Sequence, residues 1–289
     1  MRSAIPFLMA LVVFGAAGCN ETSTGPRDVT APAAPRGFYS VTGDGQVKLY
    51  WLENTEADVA GYRVYMAPCA SGSSCPYDRI GSTSATQFTA TGLANGVTRY
   101  YAVAAVDHAG NESALSYEDV FDTPRPEGAA TLTDFTGAQP ATSGWDFSAF
   151  LRRPYDAAGT DIYYGDNGSV KQMFTTGVEV SPGNWLYTDI QDAGHVSSLD
   201  VLDWAPSAGW SPTGTAELIP GHGYYVWTWD DHYAKFRVSE LYPDYVTIEW
   251  AYQTAVGNPE LRAREVKSGH AGPRPLHWIR PGPDAIASR

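Results

Sequence analysis

The chemistry this 289-residue chain could offer rests on three cysteines, six histidines and thirty-two carboxylates. Cys69 and Cys75 bracket Ala70-Ser71-Gly72-Ser73-Ser74, a spacing that suits a local disulfide in an exported protein; two free thiols in a loop are the competing reading. By loop entropy such a ring stabilises by about 2 to 2.5 kcal/mol. With no second cysteine pair in the sequence, the two make only half of a structural zinc site. Gly-x-Ser-x-Gly, His-Glu-x-x-His and Gly-rich phosphate-loop patterns are all missing, so nucleophilic, zinc-protease and nucleotide chemistry lack their local signatures. Asp244 and Glu249 could be chosen as a glycosidase pair, but a solvated strand face explains them equally well. Asp230-Asp231-His232 carries oxygen and imidazole ligands, yet three adjacent residues of a tight turn cannot converge on one cation. The reading is therefore a non-enzyme with no metal site.

What the histidines can do depends on the strands that carry them. Gly223–Val238 reads as a hairpin about a two-residue turn, Asp230-Asp231, which pairs Trp229 with His232, Trp227 with Ala234 and Tyr225 with Phe236. That register sends Tyr225, Trp227, Trp229, His232, Ala234, Phe236 and Val238 to one face, expected to be core. His222 then lies at the open end on one face and His232 beside the turn on the other, too far apart at about 3.3 Å per residue to share a ligand. His195, in the loop Asp192-Ala193-Gly194-His195, is the remaining partner, giving His195, Trp229 and His232 as the candidate ligand site. Against it stands an ordinary hydrogen-bonded histidine among tryptophans. Tyr163-Tyr164, Trp185, Tyr187, Trp204, Trp210 and Tyr224-Tyr225 are more aromatics than a small core needs, and exposed ones would suit a sugar, peptide or porphyrin face.

Upstream, Val47-Lys48-Leu49-Tyr50-Trp51, Gly61-Tyr62-Arg63-Val64-Tyr65 and the run from Tyr101 to Ser113 alternate with period two. Together with Leu93 and Asp107-His108-Ala109-Gly110-Asn111-Glu112-Ser113, they resemble a fibronectin type III module over residues 35–126. The resemblance implies an immunoglobulin-like sandwich acting as spacer or adhesive unit. Residues 127–261 are expected to form a second antiparallel β-domain, the whole chain being all-β. Within it, Trp145-Asp146-Phe147, Gly221-His222-Gly223-Tyr224, His232–Val238 and Val246–Thr254 are similar to the HmuY-like β-domains of bacterial lipoproteins. Some of those domains capture haem, and the resemblance carries that cofactor as the alternative reading. Two prolines in Thr123-Pro124-Arg125-Pro126-Glu127-Gly128 predict an exposed, separable linker.

The chain begins with Arg2, an apolar run from Ile5 to Phe14 and Gly15-Ala16-Ala17-Gly18 before Cys19. This reads as a signal peptide over 1–18, too short to span a bilayer, and Gly18-Cys19 resembles a lipobox with lipidation at Cys19. Residues 19–34 form a Ser/Thr/Gly/Pro-rich tether and 262–289 a basic tail expected to be unstructured. From Glu127 to Leu261, 18 Asp+Glu face 5 Lys+Arg, net −13, whereas 262–289 holds 6 basic and 2 acidic residues, net +4. So acidic a body repels phosphate backbones, which removes nucleic acid as a partner. The expectation is a lipid-anchored binding protein of the bacterial cell envelope, at the outer membrane or surface, meeting a protein, glycan or hydrophobic ligand; an accessory role in carbohydrate processing is the further alternative.

Overall fold

The structure, a computed structural model, describes residues 27–69, 75–117, 120–166 and 168–262. Cys19, the 1–18 leader, residues 19–26 of the tether and 263–289 of the tail lie outside them.

Among the described residues, seven strands build the first domain: β1 (Tyr39–Gly43), β2 (Gln46–Tyr50), β3 (Val59–Ala67), β4 (Asp78–Thr83), β5 (Gln87–Thr91), β6 (Arg99–Asp107) and β7 (Val120–Asp122). They form a three-stranded sheet, β1-β2-β5, and a four-stranded sheet, β4-β3-β6-β7. Between the sheets lie Val47, Leu49, Trp51, Tyr62, Val64, Tyr101, Val103 and Ala105. These are the inward positions of the alternating runs, as a sandwich requires. The other face of β6 is covered too, since Ala102 and Ala104 pack with Tyr65, Tyr77 and Leu115. A disulfide joins Cys69 to Cys75, with Cα atoms 6.0 Å apart.

The second domain contains β8 (Glu127–Thr133), β9 (Gly144–Asp146), β10 (Leu151–Arg153), β11 (Ile162–Asp166), β12 (Lys171–Thr175), β13 (Gly177–Ser181), β14 (Asn184–Tyr187), β15 (Asp189–His195), β16 (Thr215–Glu217), β17 (His222–Trp227), β18 (Tyr233–Leu241) and β19 (Tyr245–Gln253). Two five-stranded sheets, β15-β17-β18-β19-β8 and β10-β9-β11-β12-β16, enclose a core of Leu132, Trp145, Phe147, Ile162, Tyr164, Tyr224, Val226, Phe236, Ile248 and Trp250, among others. β13 and β14 pair only with each other.

The hairpin β17–β18 departs from its expected register by one residue. Val226 opposes Ala234 and Tyr224 opposes Phe236. Thr228 N donates to His232 O at 2.9 Å, so the loop is the three residues Trp229-Asp230-Asp231, with Asp231 left-handed at φ 63°. A type I turn ending in a left-handed residue needs three residues, one more than the turn read from Asp230-Asp231, and an odd shift turns the whole of β17 over. Tyr224 and Val226 are therefore buried, while Tyr225 and Trp227 face outward, where Trp227 stacks on Tyr233 at 5.6 Å. On β18, Ala234, Phe236 and Val238 point inward as expected.

The supposed linker is not exposed. Thr123, Pro124, Arg125 and Pro126 are all buried, and β8 starts at Glu127. Gly96 N donates to Pro124 O at 2.8 Å, Arg125 N to Gly43 O at 3.2 Å and Tyr252 N to Pro126 O at 3.0 Å, so each domain satisfies part of this segment's backbone. Arg125 and Lys235, both 0% exposed, meet there. Arg125 Nε donates to Leu261 O and Nη1 to Glu127 Oε2 at 2.8 Å, and Lys235 Nζ donates to Leu202 O at 2.7 Å. Prolines punctuate a chain without dictating exposure, and here they seal a junction.

Candidate functional site

β14 has no buried residue: Asn184, Trp185, Leu186 and Tyr187 are all exposed, and only β13 pairs with it. Trp185 and Tyr187 are two apart on a strand and share a face. Their rings lie within 19° of parallel with centroids 6.3 Å apart, and they are 47% and 64% exposed. Gly177 sits directly across from Tyr187, and a Cβ there would come within 2.6 Å of the ring, so the glycine lets Tyr187 lie flat against the hairpin backbone. Glu179 opposes Trp185 and turns its Oε1 back to accept from Gly183 N at 2.6 Å. The result is a two-ring aromatic plate with a carboxylate beside it. The other surplus aromatics behave differently: Tyr164 and Tyr224 are core, while Tyr163, Trp204, Trp210 and Tyr225 are half-buried.

The candidate ligand set His195, Trp229 and His232 is not brought together. His195 ends β15 opposite His222, the first residue of β17, whereas Trp229 and His232 sit at the loop closing the far end of that strand. His222 and His232 do share the inner side of the sheet, contrary to the expected register, but about six residues at ~3.3 Å each separate them. His232 packs on Tyr252 at 5.4 Å and places Nδ1 3.3 Å from Asp230 Oδ1. The pair His195–His222, with ring centroids 6.5 Å apart, escaped the sequence reading. Its two strands are separated by the loop that carries β16, and no local pattern signals their pairing.

The carboxylates arrange no catalytic pair from the positions considered. Asp244 lies in the turn that joins β18 to β19, whereas Glu249 is in the middle of β19 and lies 3.4 Å from Arg237 Nη1. Asp230 accepts from Thr228 Oγ1 at 2.6 Å and Asp231 from Trp227 Nε1 at 2.9 Å, so the turn's acids diverge. Asp161, buried by the core, is pushed up to about 8, opposed by the hydrogen bond from Phe147 N at 2.8 Å. Asp146 beside it is held by Arg153 Nε at 2.7 Å. Among the described residues, Asp28, Asp58 and Asp107 each offer an oxygen within 4.8 Å of the others, with Asn111 Nδ2 already donating to Asp107 at 2.7 Å.

No family description matches the chain. An amylopullulanase of Thermoanaerobacterium saccharolyticum is 36% identical over 95 residues, 32% of this chain. A Fn3-like protein from Clostridium thermocellum aligns with 28% identity over 32% of this chain and 92% of its own, at TM-score 0.27. The sheets β1-β2-β5 and β4-β3-β6-β7 are the two layers of such a sandwich. The first domain is a fibronectin type III module. Exoglucanase B of Cellulomonas fimi is 27% identical over 264 residues, 86% of this chain. The chain spans 7% of the amylopullulanase and 22% of the exoglucanase. A DUF4466 family protein of Parabacteroides merdae aligns over 77% of this chain with 14% identity and TM-score 0.40.

Proposed function

We propose that this protein is a non-catalytic accessory module that holds neutral polysaccharide through the Trp185–Tyr187 plate, carried on a fibronectin type III spacer. The plate is the observation that supports it. A pyranose ring has an apolar C–H face that stacks on flat aromatics, and rigid rings bind it at low entropic cost. The glycine beneath Tyr187 fixes the plate's plane, and Glu179, opposite Trp185, puts a carboxylate at its rim for sugar hydroxyls. The net charge of −13 opposes anionic polymers, which favours an uncharged glycan. Stretches similar to this chain occur within enzymes whose names are amylopullulanase and exoglucanase, and a glucan is accordingly the polymer to try first. Lipidation at Cys19 in the cell envelope completes the proposal, the tether ending before Asp28 because Asn111 Nδ2 donates to Asp28 O at 3.1 Å, Ala33 N to Glu56 Oε1 at 2.7 Å and Ala34 is buried.

Affinity electrophoresis tests the binding reading. Migration should be retarded in gels containing soluble α- or β-glucan and unchanged in gels containing polygalacturonate. Equal migration in every neutral glucan gel would remove the proposal.

A further inference from the structure

We propose that His195 and His222 form a binding site for a divalent transition-metal ion, Zn²⁺ or Ni²⁺ by ligand chemistry, oriented by Asp192. The two histidines face each other across the β15–β17 ladder at the open rim of the sandwich. β15 is an edge strand, His195 is exposed and the His222 side chain is 21% exposed, so solvent reaches both imidazoles.

The neighbours of the pair argue for ligation rather than packing. His222 Nδ1 lies 3.1 Å from both oxygens of Asp192, which leaves Nε2 as the nitrogen with a lone pair to offer. A carboxylate on the far nitrogen is what fixes the tautomer and raises the basicity of metal-bound histidines. Asp192 is itself held, since its Oδ1 accepts from Gly194 N at 2.7 Å. The bulge between Asp192 and Gly194 is what brings His195, rather than its neighbour, opposite His222. Gly221, at φ 82°, leaves the His195 ring room: a Cβ there would lie 3.2 Å from its Nε2 and Cδ2.

The remaining gap is small. The ring centroids are 6.5 Å apart, whereas two imidazoles bound tetrahedrally at ~2.0–2.1 Å bring theirs to roughly 5 Å. Rotation of the exposed His195 side chain about χ1 and χ2 covers that difference without moving the ladder. The protein supplies two imidazoles, and water completes the coordination shell. None of the plate residues takes part, so the site stands or falls independently of polysaccharide binding.

The test is calorimetric titration of the full chain with ZnCl₂ and NiCl₂, alongside imidazole proton spectra. One equivalent should bind saturably and shift the ring resonances of His195 and His222, leaving those of His232 in place. His195→Ala and His222→Ala should each weaken binding at least ~10-fold, and Asp192→Asn roughly 10- to 100-fold. His195→Gln serves as the milder variant, with circular dichroism reporting that the fold is retained. Identical isotherms for the native chain and the His195→Ala/His222→Ala double variant, or ring resonances that stay fixed under saturating zinc, would overturn the site.

Discussion

Thr123 and Glu260, 137 positions apart, are joined twice: Thr123 N donates to Glu260 Oε1 at 3.2 Å and Thr123 Oγ1 donates to Oε2 at 2.9 Å. The bond pair ties the exit of the fibronectin type III module to the last described segment of the second domain. Gln253 Nε2 donates to Glu260 O at 2.8 Å and extends the tie into β19. Because all of these groups are buried, the two domains share a polar core.

That core predicts cooperativity where prolines suggest a hinge. Heating should give one cooperative transition for both domains. Thr123→Val, which removes one partner from a buried carboxylate, should cost about 1–3 kcal/mol. Two separated transitions would contradict the shared core.

The same carboxylates make stability depend on pH. Burial, together with the neighbouring Asp122 charge, raises Glu260 from 4.5 to about 7, and burial raises Asp122 to about 6 against the hydrogen bond from Thr42 Oγ1. A carboxyl whose folded value is raised contributes stability that is complete below its unfolded value and is lost as pH climbs through the folded one. With the buried Asp161 included, stability should therefore decline between about pH 4 and 8, Glu260 contributing up to ~3 kcal/mol between about pH 4.5 and 7. Glu260→Gln, neutral throughout, should flatten the decline and raise the unfolding midpoint at pH 8. A variant with the native slope would show that Glu260 does not titrate in this window.

The register of β17 is testable by substitution. Val226→Asp buries an unpaired charge in the core and should abolish or nearly abolish folding, whereas Tyr225→Ser, on the outer face, should cost less than half as much. The opposite ranking would restore the two-residue turn.

The disulfide should appear as two hydrogens missing from the intact mass, and its reduction should cost about 2 kcal/mol. Alkylation of Cys69 and Cys75 without reductant would contradict it.

Much of this architecture was legible because period-two alternation reports which face is buried. Val47, Leu49 and Trp51 in one domain, and Val246, Ile248 and Trp250 in the other, are core for that reason. What alternation cannot report is loop length: a single extra residue at Trp229-Asp230-Asp231 exchanged the faces of β17. Nor does it detect strands with little intrinsic preference. Glu127-Gly128-Ala129-Ala130 reads as loop but becomes β8 because β19 offers an unpaired edge. Trp185–Ile190 reads as one strand, yet the break at Thr188, whose N donates to Thr176 O at 2.9 Å, separates the hairpin from the sheet. That break is what leaves Trp185 and Tyr187 in solvent. The His195–His222 pair depends on a long-range ladder and had no local signal at all.

The central claim, that the Trp185–Tyr187 plate holds a neutral glycan, is tested most directly by titrating the full chain with glucan oligosaccharides and comparing the Trp185→Ala and Tyr187→Ala variants. Both residues are exposed, so both variants should keep the native unfolding midpoint within about 0.5 kcal/mol. The account predicts saturable binding to the native chain, weakened at least ~10-fold by each substitution and undetectable in the double variant, the loss expected when an aromatic stacking contact worth ~1.4 kcal/mol or more is removed. Binding of equal strength in the native and doubly substituted proteins would contradict it.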